Sequence, residues 1–344
     1  MSGLQQLRRS ARPVEGSAAH GLPQARWSPF EIAFWCVPIA VFFLLPDYLV
    51  FGSQVLIVGL FALSLDLVLG YAGIVSLGHA GFFGLGAYTA GLLAAHGWGE
   101  PLTGLAAGAV VAALAGFCVS FLVVRGQDLT RLMVTLGIGL MLYEAANKMA
   151  FLTGGVDGLS GVTMHKLLGT FEFDLEGRTA YLYSLVVLFL VFGGLRRLVR
   201  SPFGLSLRGI QQGPKRMPAI GANVRMRLVA AFTVSAAIAG VAGGLLAQTT
   251  QFVGLDSLGF SRSAELLIML VLGGAGRLYG ALIGAAVFMI AQDVLAGINP
   301  VYWQFWIGLL LMVIVLFARG GILGGLETAV SAVSARRARK GGAS

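Results

Sequence analysis

The chain has 344 residues, 57% of them hydrophobic and 11% charged, with mean hydropathy +0.85. A soluble domain carries about a quarter charged residues, so composition excludes that class and points to a membrane protein. The net charge of +9 would suit a nucleic-acid binder in a soluble chain, but here Lys and Arg gather between apolar runs, where membrane topology accounts for them without nucleic acid.

In chain order, residues 1–29 carry Arg8, Arg9, Arg12 and Arg26 with Pro13, Pro23 and Pro29, and read as a polar cytoplasmic tail. No apolar region follows within signal-peptide distance, so the first span is expected to be retained. A span needs about 20 apolar residues. Ten stretches approach that: 30–48, 53–70, 74–95, 102–124, 131–152, 179–195, 228–249, 262–275, 278–296 and 302–318. The expected fold is an all-α polytopic membrane bundle of about ten helices. Its permease domain covers 30–318, and a basic tail at 319–344 holds Arg336, Arg337, Arg339 and Lys340.

Charge sets the sidedness. Between Arg196 and Arg227 lie eight cationic residues (Arg196, Arg197, Arg200, Arg208, Lys215, Arg216, Arg225 and Arg227) and no Asp or Glu. Positive loops stay cytoplasmic, so loop 196–227 and both termini are placed inside. Loop 153–178, with Asp157, Glu172, Asp174 and Glu176, is placed outside. A long cytoplasmic loop in a tightly looped protein is also the natural dock for a soluble partner.

Gly numbers 50, roughly double the usual share, which suits close helix packing. The stretch Ile74–Leu93 interleaves Gly78, Gly81, Gly84, Gly86 and Gly91 with Ser76, His79 and Tyr88. Broken backbone at membrane depth survives only where protein or a water-filled cavity covers it. Ser76, His79, Gly81, Gly84 and Tyr88 are therefore the candidates for bordering a translocation path. The alternative is a helix whose glycines admit a neighbour. An echo also occurs: Leu67–Gly73 (LVLGYAG) and Leu270–Gly276 (LVLGGAG), both ending on the cytoplasmic side. So short a match does not by itself establish a repeat.

Ionisable residues within spans are functional candidates because burying them is costly. Here they are Asp66, His79, Glu144, Lys148, Glu265 and Asp293. Glu144 and Lys148, four apart on one helix, are expected to pair. Asp66 and Asp293 lie near span ends, where solvation or helix contacts can satisfy them. No proton-relay spacing is present. Cys36 and Cys118 lie inside apolar runs and His20, His79, His96 and His165 are scattered, so neither a disulfide framework nor a metal site is indicated. None of the four lysines precedes Ser or Thr, which excludes a P-loop. Any ATP chemistry belongs to another chain, and nothing marks an enzyme.

Several segments in this order resemble permease subunits of ABC importers for branched-chain amino acids, a group whose signature urea and amide importers share. They are Leu67–Leu93, the TGGVDGLSG of Thr153–Gly161, Ser201–Asn223, Val271–Gly280 and Trp306–Gly321. The resemblance is to the LivM-like subunit. It implies a LivH-like second permease, two cytoplasmic ATPase subunits that bind ATP and magnesium, a periplasmic binding protein that largely sets substrate choice, and no cofactor in this chain. It also implies a coupling helix between Leu205 and Asn223 in the cytoplasmic loop. Gly204, Arg208, Lys215, Arg216 and Gly221 are the candidate coupling residues, with the two glycines bracketing the docking element. Where relatives are acidic, this chain has Gln211–Pro218 with two prolines, leaving two forms open: a shorter helix, or one that opens at Pro214. The rival classes are a urea, amide or organic-acid importer and a self-sufficient secondary transporter or channel.

Overall fold

A computed structural model describes residues 29–166, 176–300, 302–317, 321–322 and 324. The tails assigned to 1–29 and 319–344 lie almost wholly outside the described residues, as does 167–175 of the external loop. The chain divides into a unit at 1–40 and a unit at 41–344. Helix α1 (Pro29–Leu44) begins in the first. The rest are α2 (Leu49–Asp66), α3 (His79–Ala95), α4 (Pro101–Arg125), α5 (Asp128–Lys148), α6 (Arg178–Arg200), α7 (Pro202–Gln212), α8 (Val224–Thr250), α9 (Phe260–Gly273), α10 (Leu278–Ile298) and α11 (Trp303–Phe317).

Each of the ten expected stretches contains one helix, and α7 is the addition between the sixth and seventh. Six helical segments are long and apolar enough to cross a membrane: α2 with its flanks (Pro46–Tyr71), α4, α5, α6, α8 and α10. The protein is an all-α, multi-pass membrane bundle. Helix α9, at 14 residues, is the shortest of the ten.

Within the 41–344 unit, α8 is the central element and packs against α4, α3 and α2. Helix α2 in turn packs against α6 and α10, and α9 against α10. The α3–α4–α8 junction depends on missing side chains. A Cβ on Gly86 would overlap the backbone of Gly240, and one on Gly243 would overlap the carbonyl of Phe83. Gly240 itself would bring a Cβ to 2.6 Å from the Gly108 carbonyl. By contrast α5 buries only 11% of its apolar window, leaving most of its surface to lipid or another chain.

The stretch 74–95 departs from one continuous span. Helix α2 runs into a π-helical turn, Leu67–Tyr71. Gly73 then takes φ +72° and residues 72–78 are non-helical before α3 begins at His79. Protein groups satisfy this backbone, as burial demands. Ile74 N–H donates to the Val68 carbonyl at 2.9 Å. Leu77 N–H reaches Thr135 Oγ1 at 3.2 Å, and Ala80 N–H reaches Ser263 Oγ at 3.0 Å. The break thus precedes the Gly-rich helix and does not interrupt it.

The echo is structural. Both copies end a helix in a turn, and Gly73 and Gly276 occupy corresponding places with φ +72° and +82°. The copies touch: a Cβ on Gly70 would overlap the backbone of Gly276. Helices α2 and α9 therefore end side by side. Segments assigned to one side of the membrane also meet their own kind. Arg225 lies over Phe121 at 5.8 Å, while at the other end Leu159 and Val253 form an antiparallel bridge and His165 N–H donates to the Gly99 carbonyl at 2.9 Å.

Gly243→Ala is expected to lower the melting temperature of the detergent-purified protein sharply, because backbone faces its missing Cβ. Gly193→Ala, with nothing within 4 Å, is expected to leave it unchanged or raised, since Ala is the better helix former by about 1 kcal/mol. Equal effects at the two positions would contradict the junction.

Candidate coupling and path sites

Helix α7 is set by its ends. Ser201 is extended (φ −76°, ψ 167°) and Pro202 takes the first helical position, where its missing N–H costs nothing. Gly213 and Pro214 stop the helix, because proline cannot continue it. The helix in the loop covers 202–212, where a helix between Leu205 and Asn223 was expected, and it stops ahead of Pro214. A 3₁₀ turn, Met217–Ile220, follows, and then Gly221 at φ +80°. Asn223 next caps α8 by accepting from Met226 N–H at 3.2 Å.

The helix is two-faced. Gly204, Ser206, Leu207 and Ile210 are buried; Pro202, Leu205, Arg208, Gln211 and Gln212 are exposed. Gly204 does not bracket the element. It lies inside it, seated on the Val199 backbone with no room for a Cβ. The Arg208 guanidinium sits 5.0 Å from the centroid of the Tyr71 ring, at the end of α2. Lys215 and Arg216 are exposed in the turn beyond the helix, and Gly221 is exposed after it. An Arg227–Ser206 hydrogen bond ties the start of α8 back to α7. Exposed apolar side chains that the charge pattern had hidden are also here: Leu205 at 50%, Ile220 at 75% and Met226 at 58%. Their signal in the sequence was apolar residues inside an otherwise polar, cationic loop.

The five path candidates all lie inside the bundle. His79 is wholly buried, with Nε2 2.9 Å from Ser64 Oγ and 3.2 Å from Ser235 Oγ. Ser64 donates its own proton to the Phe61 carbonyl at 2.6 Å, and Ser235 donates to the Ser64 carbonyl. With both hydroxyl protons committed, Nε2 carries the hydrogen and donates. That assignment follows from the network. The ring stacks on Phe61 at 5.9 Å and meets the edge of Phe82 at 5.8 Å, so His79 pins α2, α3 and α8 together. Gly81 faces Leu142 of α5, and Gly84 faces Leu258. Tyr88 belongs to an apolar cluster with Leu159, Val253 and Leu258. Its hydroxyl, like that of Ser76, has no hydrogen-bond partner among the described residues. A shallow cleft lined by Leu77, Gly78, Leu136, Gly139, Phe260 and Ser263 runs beside the unwound stretch, between α5 and α9.

The charged candidates separate. Glu144 and Lys148 are both exposed and no ion pair joins them, so the expected pairing is not made. Their side chains stay apart on a mostly uncovered helix. Glu265 pairs with Arg262 at 3.2 Å. Asp293 is exposed. Asp66 is wholly buried, and its Oδ1 accepts from Gly276 N–H at 2.7 Å. That partner is 210 positions away, which no local pattern reveals.

A bundle with six helical segments long and apolar enough to cross a membrane, an unwound segment satisfied by its neighbours and a two-faced helix beside them define a polytopic membrane protein. The family described as "Branched-chain amino acid transport system / permease component" matches residues 49–316, and the chain belongs to it. It is the permease subunit of an ABC importer. The chain is 29% identical over 317 residues to the high-affinity branched-chain amino acid transport system permease protein LivM of Escherichia coli, spanning 86% of this chain and 71% of that one. It is 27% identical over 285 residues to the permease protein BraD of Pseudomonas aeruginosa (77% and 91%). Against the LivH permease of E. coli it is 25% identical over 285 residues (77% and 90%). No solved structure matches the chain.

The His79 network yields a measurable coupling. Ser64→Ala is expected to destabilise the purified protein by about 0.5–1.5 kcal/mol, by removing the shorter of the two contacts made by His79 Nε2. The Ser64→Ala/His79→Leu double variant is expected to lose less than the sum of the singles, as contacting residues do. Additive losses on denaturant unfolding would show that the two side chains are not joined.

Proposed function

We propose that this chain is the LivM-type half of a heteromeric importer core that brings branched-chain amino acids across a bacterial inner membrane. Resemblance along most of the chain carries this reading, because the LivM relative matches 86% of it and the LivH and BraD relatives 77% each. A chain similar to both LivM and LivH is what two homologous halves of one core produce, so the partner is a LivH-like permease. The bare surface of α5 leaves room for such a partner. Without a P-loop, the chain relies on two cytoplasmic ATPase subunits for ATP and magnesium, and a periplasmic protein delivers substrate.

Loop 196–227 and both termini face the cytoplasm. Leu205 on helix α7 and Lys215 and Arg216 in the turn after it dock on an ATPase, while the buried face of α7 rests on the bundle. The Gly-rich segment 74–93 borders the path, with the unwound 72–78 stretch and the cleft beside α5 as its edge. Alternating access is the movement of these helices when the ATPases close.

Reconstituted complex in proteoliposomes is expected to take up labelled leucine, isoleucine or valine only with the binding protein and ATP present. Uptake of urea or amides in their place would move the substrate class, and uptake by this chain alone would replace the importer with a self-sufficient carrier. For sidedness, Val156→Cys and Lys215→Cys in a background lacking Cys36 and Cys118 are expected to label from opposite faces of the membrane with an impermeant maleimide. Labelling from the same face would overturn the topology. Reversing Lys215 and Arg216 together to Glu is expected to weaken ATPase association. Each exposed pair contributes only about 0–1 kcal/mol, so single reversals are expected to do little.

A further inference from the structure

Three cations gather where the end of α4 meets the start of α8. Arg225 stands in the first turn of α8, where the helix dipole opposes a cation and favours an anion. Its guanidinium lies 5.8 Å from the centroid of the Phe121 ring on α4. Arg125 is in the last turn of α4, four residues beyond Phe121 and so on the same face of the helix. Arg131 Nε donates to the Gly126 carbonyl at 2.9 Å, which keeps a third charge at this end. None of the three makes an ion pair among the described residues. The sequence offers little to pair with them: Asp128 is the only acidic residue in 101–143, and 201–255 has none.

Next to these cations the surface is apolar and uncovered. Phe117, one turn further into α4, meets Phe121 edge-to-face at 4.9 Å. Phe117 and Leu122 are exposed, as are Met226 beside Arg225 and Leu129 and Met133 beside Arg131. Guanidiniums at a membrane edge, continued by lipid-facing rings, match the two ends of a phospholipid, and basic pockets between membrane helices hold acidic headgroups. We propose that the edge between α4 and α8 is a binding site for an anionic phospholipid. Arg125 and Arg225 hold its phosphate, Arg131 adds to the field around it, and an acyl chain lies along Phe121 and Phe117. A free phosphate would use the charges and leave the apolar strip bare. A protein partner would have to bring its acid to membrane depth on an apolar helix, which is costly. A lipid supplies both parts at no such cost. Bound there, it joins the ends of α4 and α8 beside the hydrogen bond from Arg227 to Ser206 of α7.

Cys118, exposed beside Phe117, gives the site a reporter. The full chain, Cys36→Ser and with a fluorophore on Cys118, is placed in phosphatidylcholine vesicles, alone and with the second permease. Increasing fractions of phosphatidylglycerol or phosphatidylcholine, each with a nitroxide quencher on one acyl chain, are then added. Half-quenching is expected at a fraction of phosphatidylglycerol about twentyfold or more below that of phosphatidylcholine. Arg125→Gln and Arg225→Gln are each expected to cut this preference about fivefold, the contribution of one cation near a membrane surface. The double variant is expected to lose most of it, and high salt to weaken it. Arg178→Gln, at the far end of α6 and already paired with Glu176 at 2.8 Å, is expected to leave it unchanged. Equal quenching by the two lipids in the unsubstituted chain, or a preference kept in the double variant, would overturn the site. Displacement of phosphatidylglycerol by millimolar inorganic phosphate would reduce it to a free-anion site. Loss of quenching when the second permease binds would make the edge a protein interface and overturn the lipid assignment. Should the double variant not fold, the two single variants decide.

Discussion

The bundle depends on the close approach of three backbones. Lipid tails are as apolar as leucine side chains, so membrane helices gain little from hydrophobic burial against one another and must associate through packing and hydrogen bonds. Where Gly86, Gly240 and Gly243 bring α3, α4 and α8 together, main-chain atoms pack directly against main-chain atoms. Everything else is placed from that junction. Helix α8 becomes the central post, α2 lies against it, and α5 is left largely uncovered.

Close packing of this kind leaves few places for polar groups, and the ones present are used as joints. His79 links α3 to α2 and α8 through Ser64 and Ser235. Thr135 and Ser263 take up the amides that the unwound 72–78 stretch and the start of α3 would otherwise leave bare. These joints explain why a non-helical segment persists among membrane helices: its amides find hydroxyls on α5 and α9, which fix where it lies relative to both. A segment held by single side-chain hydrogen bonds can also change partners at modest cost, since each bond contributes about 0.5–1.5 kcal/mol net. The same feature that satisfies the break leaves it able to rearrange.

Much of this was legible in the sequence, and the reasons are specific. Apolar length located a helix in each of the ten stretches, six of them long and apolar enough to cross a membrane, because burial in lipid imposes it on each segment independently. The LVLGYAG and LVLGGAG echo marked two turns that the structure places in contact. Pro202, Gly213 and Pro214 contained the ends of α7, and of the two forms that the prolines left open the shorter helix is the one formed. The glycines gave a different lesson. Gly204 and Gly84 signalled close approach, yet composition does not say what approaches, and the neighbours turned out to be Val199 and Leu258. Asp66 was visible as a charge near a span end. Its meaning was not, because its partner is the amide of Gly276, 210 positions away.

Helix α7 is held to the bundle by two different kinds of contact. Its buried face, with Leu207 and Ile210, gives adhesion, and Gly204 lets the helix settle onto the last turn of α6. Adhesion alone would tolerate sliding. Ser206, held by Arg227 of α8, and Arg208, held over Tyr71 of α2, fix the helix to two different membrane helices at positions half a turn apart. A rigid element pinned at two points transmits rotation as well as translation. Pro214 then keeps the following turn out of the helix, so Lys215 and Arg216 project from a segment that is not part of the lever. The helix is thus part of the bundle's packing, while the turn after it is left exposed.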